Sequence, residues 1–597
     1  MTQKNIELIG DRLEREFLDR VRRPGRYIGG EVNQVCKTWS DCALTWALCF
    51  PDVYEVGMSN MGLAILYEVL NGLTDVAAER VFAPWTDAEQ VLRDRDIPLF
   101  SMESKAALRS FDVVAFSLTT ELCYTNVLNM LDLGGIPLRS GDRGPDEPLV
   151  IAGGGMAYCC EPMAPFIDAF VLGDGEEAVV ALTEVVKVAR RSGRSRQAML
   201  LEAAERFEWL YVPSLYEVRY DGPAVREVAS RAERVSVQRR GAVVRDLDAA
   251  HAPQRPIVPA IEAVHERVSV EIMRGCPGRC RFCQVSFCKR PIRYRSVDRI
   301  VEIARAGYKA TGFDTVSLLS LSSAEYPDLE PLIARLNAAF EGRHVGLSVP
   351  SLRVDRQLRL LPQLVAAVRK GGLTIAVEAA SERLRQIVNK PLSDEDLFAA
   401  VEAAYRAGWQ KVKLYFMVGL PSESREDILK IVDLACDLGW LGKRVQGKPA
   451  QINAAVSWLV PKPHTPLAWL GQQPGEYFEQ AKRLILDAKR EKGVRFVQFK
   501  FHDHRQSLLE SAIGRADRRT ADVIESAWRA GARFDLWDEC FDFDLWKQAF
   551  AEAGRDLEQA ATRSFGQDEY LPWEHLGGPD KSYLLRHLNE TLDLIQG

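Results

Sequence analysis

Three thiols fall within one short stretch, Cys276-Pro-Gly-Arg-Cys280-Arg-Phe-Cys283. Thiolates so spaced can each take one iron of a cubane iron–sulfur cluster, and the fourth iron is then free to bind a small molecule. Cys288, five residues on, offers a further thiol, but the insertion that carries it is long and basic. Two other readings stay open on spacing alone. Zinc accepts the same ligands but normally wants paired C-x-x-C halves or histidines, and the nearest downstream histidine is His344. Buried, inert cysteine is the third reading. His502-Asp503-His504 is a second candidate metal pair, set against the commoner case of polar surface positions.

A loop of this kind needs a strand behind it, and Arg267-Val-Ser-Val-Glu-Ile-Met273 has the apolar run of one. Over residues 261–500 strand and helix patterns alternate, with further strands at 315–320, 344–349, 373–378, 412–418 and 450–456. Six β/α units predict a partial, open barrel whose working groups sit at the carboxyl ends of the strands. Those ends offer Ser320 and Ser322, then Ser351, Arg353 and Asp355, then Glu378 and Ser381. Lys413 and Tyr415 alternate onto one face of the fifth strand. Val460-Pro-Lys462-Pro-His464-Thr-Pro466 closes the unit as a stiff segment. Lys462 and His464 are candidates for its mouth, or an ordinary surface-loop pair. Seven basic residues (Arg279, Arg281, Lys289, Arg290, Arg293, Arg295, Arg299) surround the cysteines against Asp298 alone. Such a patch can grip RNA phosphates or serve an anionic cofactor.

Residues 1–215 alternate in the same way, with strands near 43–50, 112–117, 148–152 and 169–172, which predicts a doubly wound parallel sheet. Ser117, Gly153-Gly154-Gly155 and Gly173-Asp174-Gly175-Glu176 fall at the strand ends, where such sheets bind ligands. Tight turns alone also account for each glycine taken singly. Residues 216–260 read as a β-hairpin and a proline-stiffened linker, and residues 501–597 as a small, mostly helical unit that caps the barrel or recruits substrate. Its runs Phe534–Trp537 and Phe541–Trp546 sit among acids, which favours core packing over base stacking.

The totals exclude several classes. The chain has 597 residues, 47% of them hydrophobic and 27% charged, so it is globular with ample core. A net charge of −6 gives no global pull toward nucleic acid or anionic membrane. No apolar run is long enough to span a bilayer, and the first residues lack a signal-like apolar stretch. Twelve scattered cysteines fit a reducing cytoplasm better than a disulfide framework. All eight histidines lie beyond residue 250.

C-x-x-x-C-x-aromatic-C after a first strand resembles the radical S-adenosylmethionine (SAM) superfamily. The resemblance implies a 4Fe–4S cluster on Cys276, Cys280 and Cys283, with SAM chelated to the open iron and Phe282 near its adenine. It also implies radical chemistry carried by the cofactors and an electron donor such as flavodoxin or ferredoxin. Glu378-Ala-Ala-Ser381 and Gly419-Leu-Pro-Ser-Glu423 resemble the family's fourth- and fifth-strand motifs. The implied SAM contacts are Phe282, Ser320, Ser322, Glu378, Ser381, Lys413 and Tyr415. Arg353, Lys462 and His464 are left as substrate candidates. The glycine turns resemble the cobalamin-binding domain that precedes the barrel in many members, implying cobalamin at Ser117, Gly153, Gly154, Gly173, Gly175 and Glu176. This chain departs from the histidine-ligated form, with Asn60 near where that histidine would fall. Expected, then, is cobalamin-dependent methylation of an unactivated carbon. The alternatives are RNA or ribosome-associated modification without cobalamin, or a non-catalytic redox- or cobalamin-sensing protein.

Overall fold

The structure, a computed structural model, describes residues 6–349 and 373–596. Its first sheet has the order β2-β1-β3-β4-β5-β6. These strands are β1 (Leu44–Phe50), β2 (Val76–Phe82), β3 (Val113–Ser117), β4 (Leu149–Gly153), β5 (Ala169–Val171) and β6 (Leu210–Tyr211). The first five are parallel; β6 returns antiparallel on β5. Every residue of β1 and β2 is buried, as expected of a parallel sheet covered on both faces. The strand order reverses between β1 and β3, the switch point at which such sheets open a crevice.

Sequence patterning missed β2 because Glu79 and Arg80 interrupt it. Both are buried and satisfied: Arg80 pairs with Glu31 at 3.0 Å and Glu103 at 2.6 Å, while Glu79 accepts from Trp39 Nε1 and Ser101 Oγ. The hairpin forms as β7 (Tyr216–Asp221) and β8 (Ala224–Ser230), antiparallel around Gly222.

The barrel region is built from β9 (Val268–Glu271), a small ribbon of β10 (Met273–Arg274) with β11 (Arg293–Tyr294), then β12 (Thr315–Leu319) and β13 (Gly346–Ser348). After it come β14 (Leu373–Glu378), β15 (Lys411–Val418), β16 (Gln451–Trp458) and β17 (Val497–Phe501). Among the described residues these form two parallel sheets, β13-β12-β9 and β14-β15-β16-β17. The strand at the end, β17, pairs with β16 and ends the sheet near residue 500.

The C-terminal unit, residues 501–597, shares its core with the first sheet, through buried residues that include Leu508, Ile524, Trp528, Phe534 and Trp546. The amphipathic helix Ala521–Arg529 lies on Tyr124–Leu133, Thr125 Oγ1 donates to Asp535 at 2.8 Å, and Arg518 pairs with Glu161 at 2.8 Å. Among the described residues no helix is long and apolar enough to cross a membrane.

Candidate functional site

The cysteine loop is held in place from three directions. Within the loop, the Arg290 guanidinium donates to the Cys276 carbonyl at 3.2 Å, the Gly278 carbonyl at 3.0 Å and the Ser286 carbonyl at 2.8 Å. From the barrel, Val388 O accepts from Arg281 N at 2.9 Å, and Asn389 Nδ2 donates to Arg279 O at 3.0 Å. From the last helix, Lys581–Gln596, Glu590 pairs with Arg281 at 2.7 Å, and Tyr583 and His587 pack edge-on against Phe287. Nothing in the helix's own sequence announces that partnership.

Two of the thiols flank Gly278. A Cβ on Gly278 would lie 3.3 Å from Cys276 Sγ and 3.9 Å from Cys280 Sγ, so a side chain there would crowd both sulfurs. Burial pushes the Cys280 thiol up to about 11, and Lys390 works against that shift. Lys390 also reaches Glu378 at 3.4 Å. Among the described residues no three metal-ligating groups converge on a single ion. A cubane makes no such demand, since each thiolate takes its own iron. His502 and His504 form no site either: His504 pairs with Glu479 at 3.2 Å, at the start of helix His504–Gly514.

The other expected contacts lie in the loop itself or on the barrel's strands and strand ends. Phe282 joins a small apolar cluster with Leu384, Met417 and Leu467. Glu378 ends β14 with φ +67°, a conformation that costs a non-glycine residue about 1–3 kcal/mol and that the surroundings must enforce. Ser381 is buried and caps the helix Glu382–Ile387. Ser320 shares a 2.9 Å hydrogen bond with Ser323, while the Ser322 hydroxyl is buried without a partner among the described residues. Lys413 and Tyr415 project from β15 opposite the helix-packed Val412, Leu414 and Phe416, into the open face of the sheet. Arg353, with Ser351 and Asp355, lies outside the described residues.

Lys462 and His464, expected at the mouth, are taken up by the protein itself. Lys462 binds both oxygens of the buried Glu121, at 3.0 and 3.1 Å, and also Glu510. His464 is buried with Nε2 at 2.8 Å from the Tyr158 carbonyl, and burial lowers its pKa to about 4. Both tie the barrel to the first sheet. The basic patch is similarly consumed: Arg281, Arg290, Arg293 and Arg295 all donate to protein carbonyls or carboxylates, whereas Arg279 stays exposed.

Between the first sheet and the barrel lies a cavity of about 650 Å³. Ser117, Gly153, Gly154, Gly173, Gly175 and Glu176 all line it, together with Gly155, Asn60 and, from the barrel side, Arg274, Gly275, Lys289 and Ser320. Its volume is within the range of cofactor pockets, and it lies at the carboxyl edge of the sheet, beside the switch point. Gly154 has φ +103° and a Cβ there would strike the Leu118 carbonyl at 2.5 Å, so only glycine fits that turn. Trp46, fully buried, lines the cavity with its indole N–H unpartnered. No histidine is among the lining residues; Asn60 instead caps the helix Met61–Asn71, its side chain accepting from Leu63 N at 2.9 Å.

One ionic hub joins the cavity to the cysteine loop. Arg274, two residues before Cys276, binds Asp174 at 3.3 Å, Glu176 at 2.6 Å and Glu271 at 2.8 Å. Arg293 and Lys289 also reach Asp174. Burial alone would raise the Asp174 carboxyl; the three cations outweigh it and hold it below the usual range. Glu176 is legible as part of the glycine turn, but nothing in the local pattern announces that an arginine from another strand clamps it.

Residues 270–435 match the family described as the radical SAM superfamily, and residues 62–213 the family described as radical SAM proteins, N-terminal. An uncharacterized protein of Methanocaldococcus jannaschii is 24% identical over 80% of this chain and 90% of its own length. A probable threonylcarbamoyladenosine tRNA methylthiotransferase of Archaeoglobus fulgidus is 26% identical over 38% of this chain and 52% of that protein, so this likeness stops at about half the relative's length. Among solved structures, the radical SAM methyltransferase TsrM of Kitasatospora setae, with cobalamin and a 4Fe-4S cluster bound, superposes with a TM-score of 0.50. The match covers 85% of this chain and 99% of that one at 15% identity, a likeness of fold.

Proposed function

Because this chain belongs to the radical SAM superfamily, and is therefore an enzyme rather than a sensing protein, we propose that it cleaves SAM reductively at a 4Fe–4S cluster held by Cys276, Cys280 and Cys283. We propose further that cobalamin occupies the interdomain cavity and that the reaction is methylation of an unactivated carbon. The observation that carries this reading is the cavity itself, bounded on one side by the glycine turns and on the other by the strand end that leads into the cysteines. When bound, the cluster supplies the electron that splits SAM, and the corrinoid supplies a methyl carrier.

The chain's own residues do the positioning. Arg290 and Asn389 fix the loop carbonyls, and Lys390 offsets negative charge beside Cys280. Glu378, Ser381, Ser320 and Ser322 line up at strand ends as donors and acceptors for SAM, with Lys413 and Tyr415 on the open sheet face. The Arg274 hub sets the distance between the two cofactor sites.

A second reading, RNA or ribosome-associated modification without cobalamin, is supported by the methylthiotransferase relatives. One experiment separates the two. Anaerobically reconstituted protein is given SAM, labelled in its methyl group, and a low-potential reductant, with flavodoxin or ferredoxin as the natural donor class. Formation of 5′-deoxyadenosine that Cys280→Ala abolishes, with labelled methyl appearing on added cobalamin, supports the first reading. Salt-sensitive copurified RNA with no labelled corrinoid supports the second.

A further inference from the structure

The interdomain cavity carries one charge that the described residues do not balance. Six charged side chains line it: Arg267, Arg274 and Lys289 against Asp174, Glu176 and Glu271. Arg274 engages all three acids, and Lys289 lies 3.7 Å from Asp174. Arg267 has neither an ion pair nor a hydrogen bond among the described residues, and its Nε is buried without an acceptor. Burial lowers its pKa with no carboxylate to offset the effect. A guanidinium stays protonated in proteins, so this is a partly desolvated cation that no carboxylate among the described residues satisfies and that a bound anion would.

Its place narrows what that anion is. Arg267 stands just before β9, at the far end of that strand from the Arg274 hub. At a rise of about 3.3 Å per residue it lies roughly 13 Å along the strand from Glu271. The linker that delivers it is bound to the first sheet's loop: Val264 N donates to Glu55 O at 3.3 Å and His265 N to Ser59 Oγ at 3.1 Å. That loop ends in Asn60, which also lines the cavity. Arg267 therefore belongs to the part of the cavity wall beside the first sheet, away from the cysteines and the group that would sit on the open iron. The corrin ring and its amide side chains carry no anion there. The nucleotide loop of cobalamin does, in its phosphodiester, and a guanidinium is the side chain best shaped to hold one.

We propose that Arg267 binds the phosphodiester of cobalamin's nucleotide loop, anchoring the corrinoid by its tail in a cavity whose lining includes no histidine. The assignment rests on the cobalamin reading above, and the test keeps the two apart. Full-length protein is titrated with aquacobalamin and with cobinamide, which lacks the nucleotide loop, and binding is followed by the corrin absorption. Wild type is expected to bind cobalamin more tightly than cobinamide. Arg267→Gln should weaken cobalamin by about 10- to 100-fold, the worth of a charge-assisted hydrogen bond, and leave cobinamide unchanged. Arg267→Lys should recover part of the loss. Equal affinities of the Gln variant and wild type for cobalamin overturn the assignment alone. A Gln variant that loses both corrinoids marks a structural role and overturns it too. Wild type that binds neither overturns the cobalamin reading and the assignment with it.

Discussion

The first sheet and the second barrel sheet are both parallel, yet they use their faces differently. In β1 and β2 every residue is buried. In β15, Lys411, Lys413 and Tyr415 are exposed between the buried Val412, Leu414 and Phe416, and in β16 Gln451 and Asn453 alternate with Ile452 and Ala454 in the same way. Parallel sheets are ordinarily covered on both sides. The first obeys that rule, and the C-terminal helices add to its cover. Among the described residues the second leaves its other face exposed and largely polar. One sheet is a rigid wall that presents only its edge to a ligand; the other presents a face. The cavity forms where that edge meets the barrel's strand ends, so rigidity is supplied by one partner and chemistry by the other.

That division can be broken at chosen points. The largest effect expected is on chemistry without stability: Cys280→Ala should abolish SAM cleavage and cluster loading, while thermal unfolding of the apoprotein stays close to wild type, since the loop is held by Arg290, Asn389 and Glu590. Next comes stability without chemistry. Leu44→Ala, in the fully buried β1 and away from the cavity lining, should cost about 2–5 kcal/mol in denaturant unfolding. Arg274→Gln should lie near it, at about 3 kcal/mol, because it leaves Asp174, Glu176 and Glu271 without their shared cation; it should also loosen corrinoid binding.

A pH-dependent effect follows in size. Burial raises the Glu423 carboxyl to about 7, against hydrogen bonds from Gly419 N and Tyr477 OH that favour its anion. The folded state therefore holds a proton that the unfolded chain has already released, and its contribution is fully present in acid and lost as pH rises toward 7. Wild type should lose more stability than Glu423→Gln between pH 5 and pH 8, measured as the urea midpoint; a parallel pH course for the two would refute it. The smallest effects belong to the open face. Lys413→Ala or Gln498→Ala should change stability by less than about 0.5 kcal/mol. A cost of several kcal/mol would mean the face is structural after all.

Much of this was legible because it is local. The cysteine spacing, the glycine turns and six of the barrel strands announce themselves through short-range pattern, and the glycines do come together around one cavity. What was illegible depends on partners distant in the chain. Val76–Phe82 hides as a strand because Glu79 and Arg80 look exposed until Glu31, Glu103 and Trp39 are brought to them. Lys462 and His464 look like mouth residues until Glu121 and Tyr158 arrive from the first sheet. The last helix looks like an appendage, but Tyr583, His587 and Glu590 brace the cysteine loop from behind. Arg267 is conspicuous for the opposite reason: among the described residues the fold brings it no partner.

The most direct test of the account is cobalamin retention. Protein reconstituted anaerobically with iron and sulfide is incubated with cobalamin and desalted, and cobalt and iron are then measured on the same sample. An equimolar amount of cobalamin remaining with iron-loaded protein is the predicted result. Protein that keeps its iron and cleaves SAM but passes all cobalamin through the column would contradict the account, and would leave the cavity to a different cofactor or to the substrate itself.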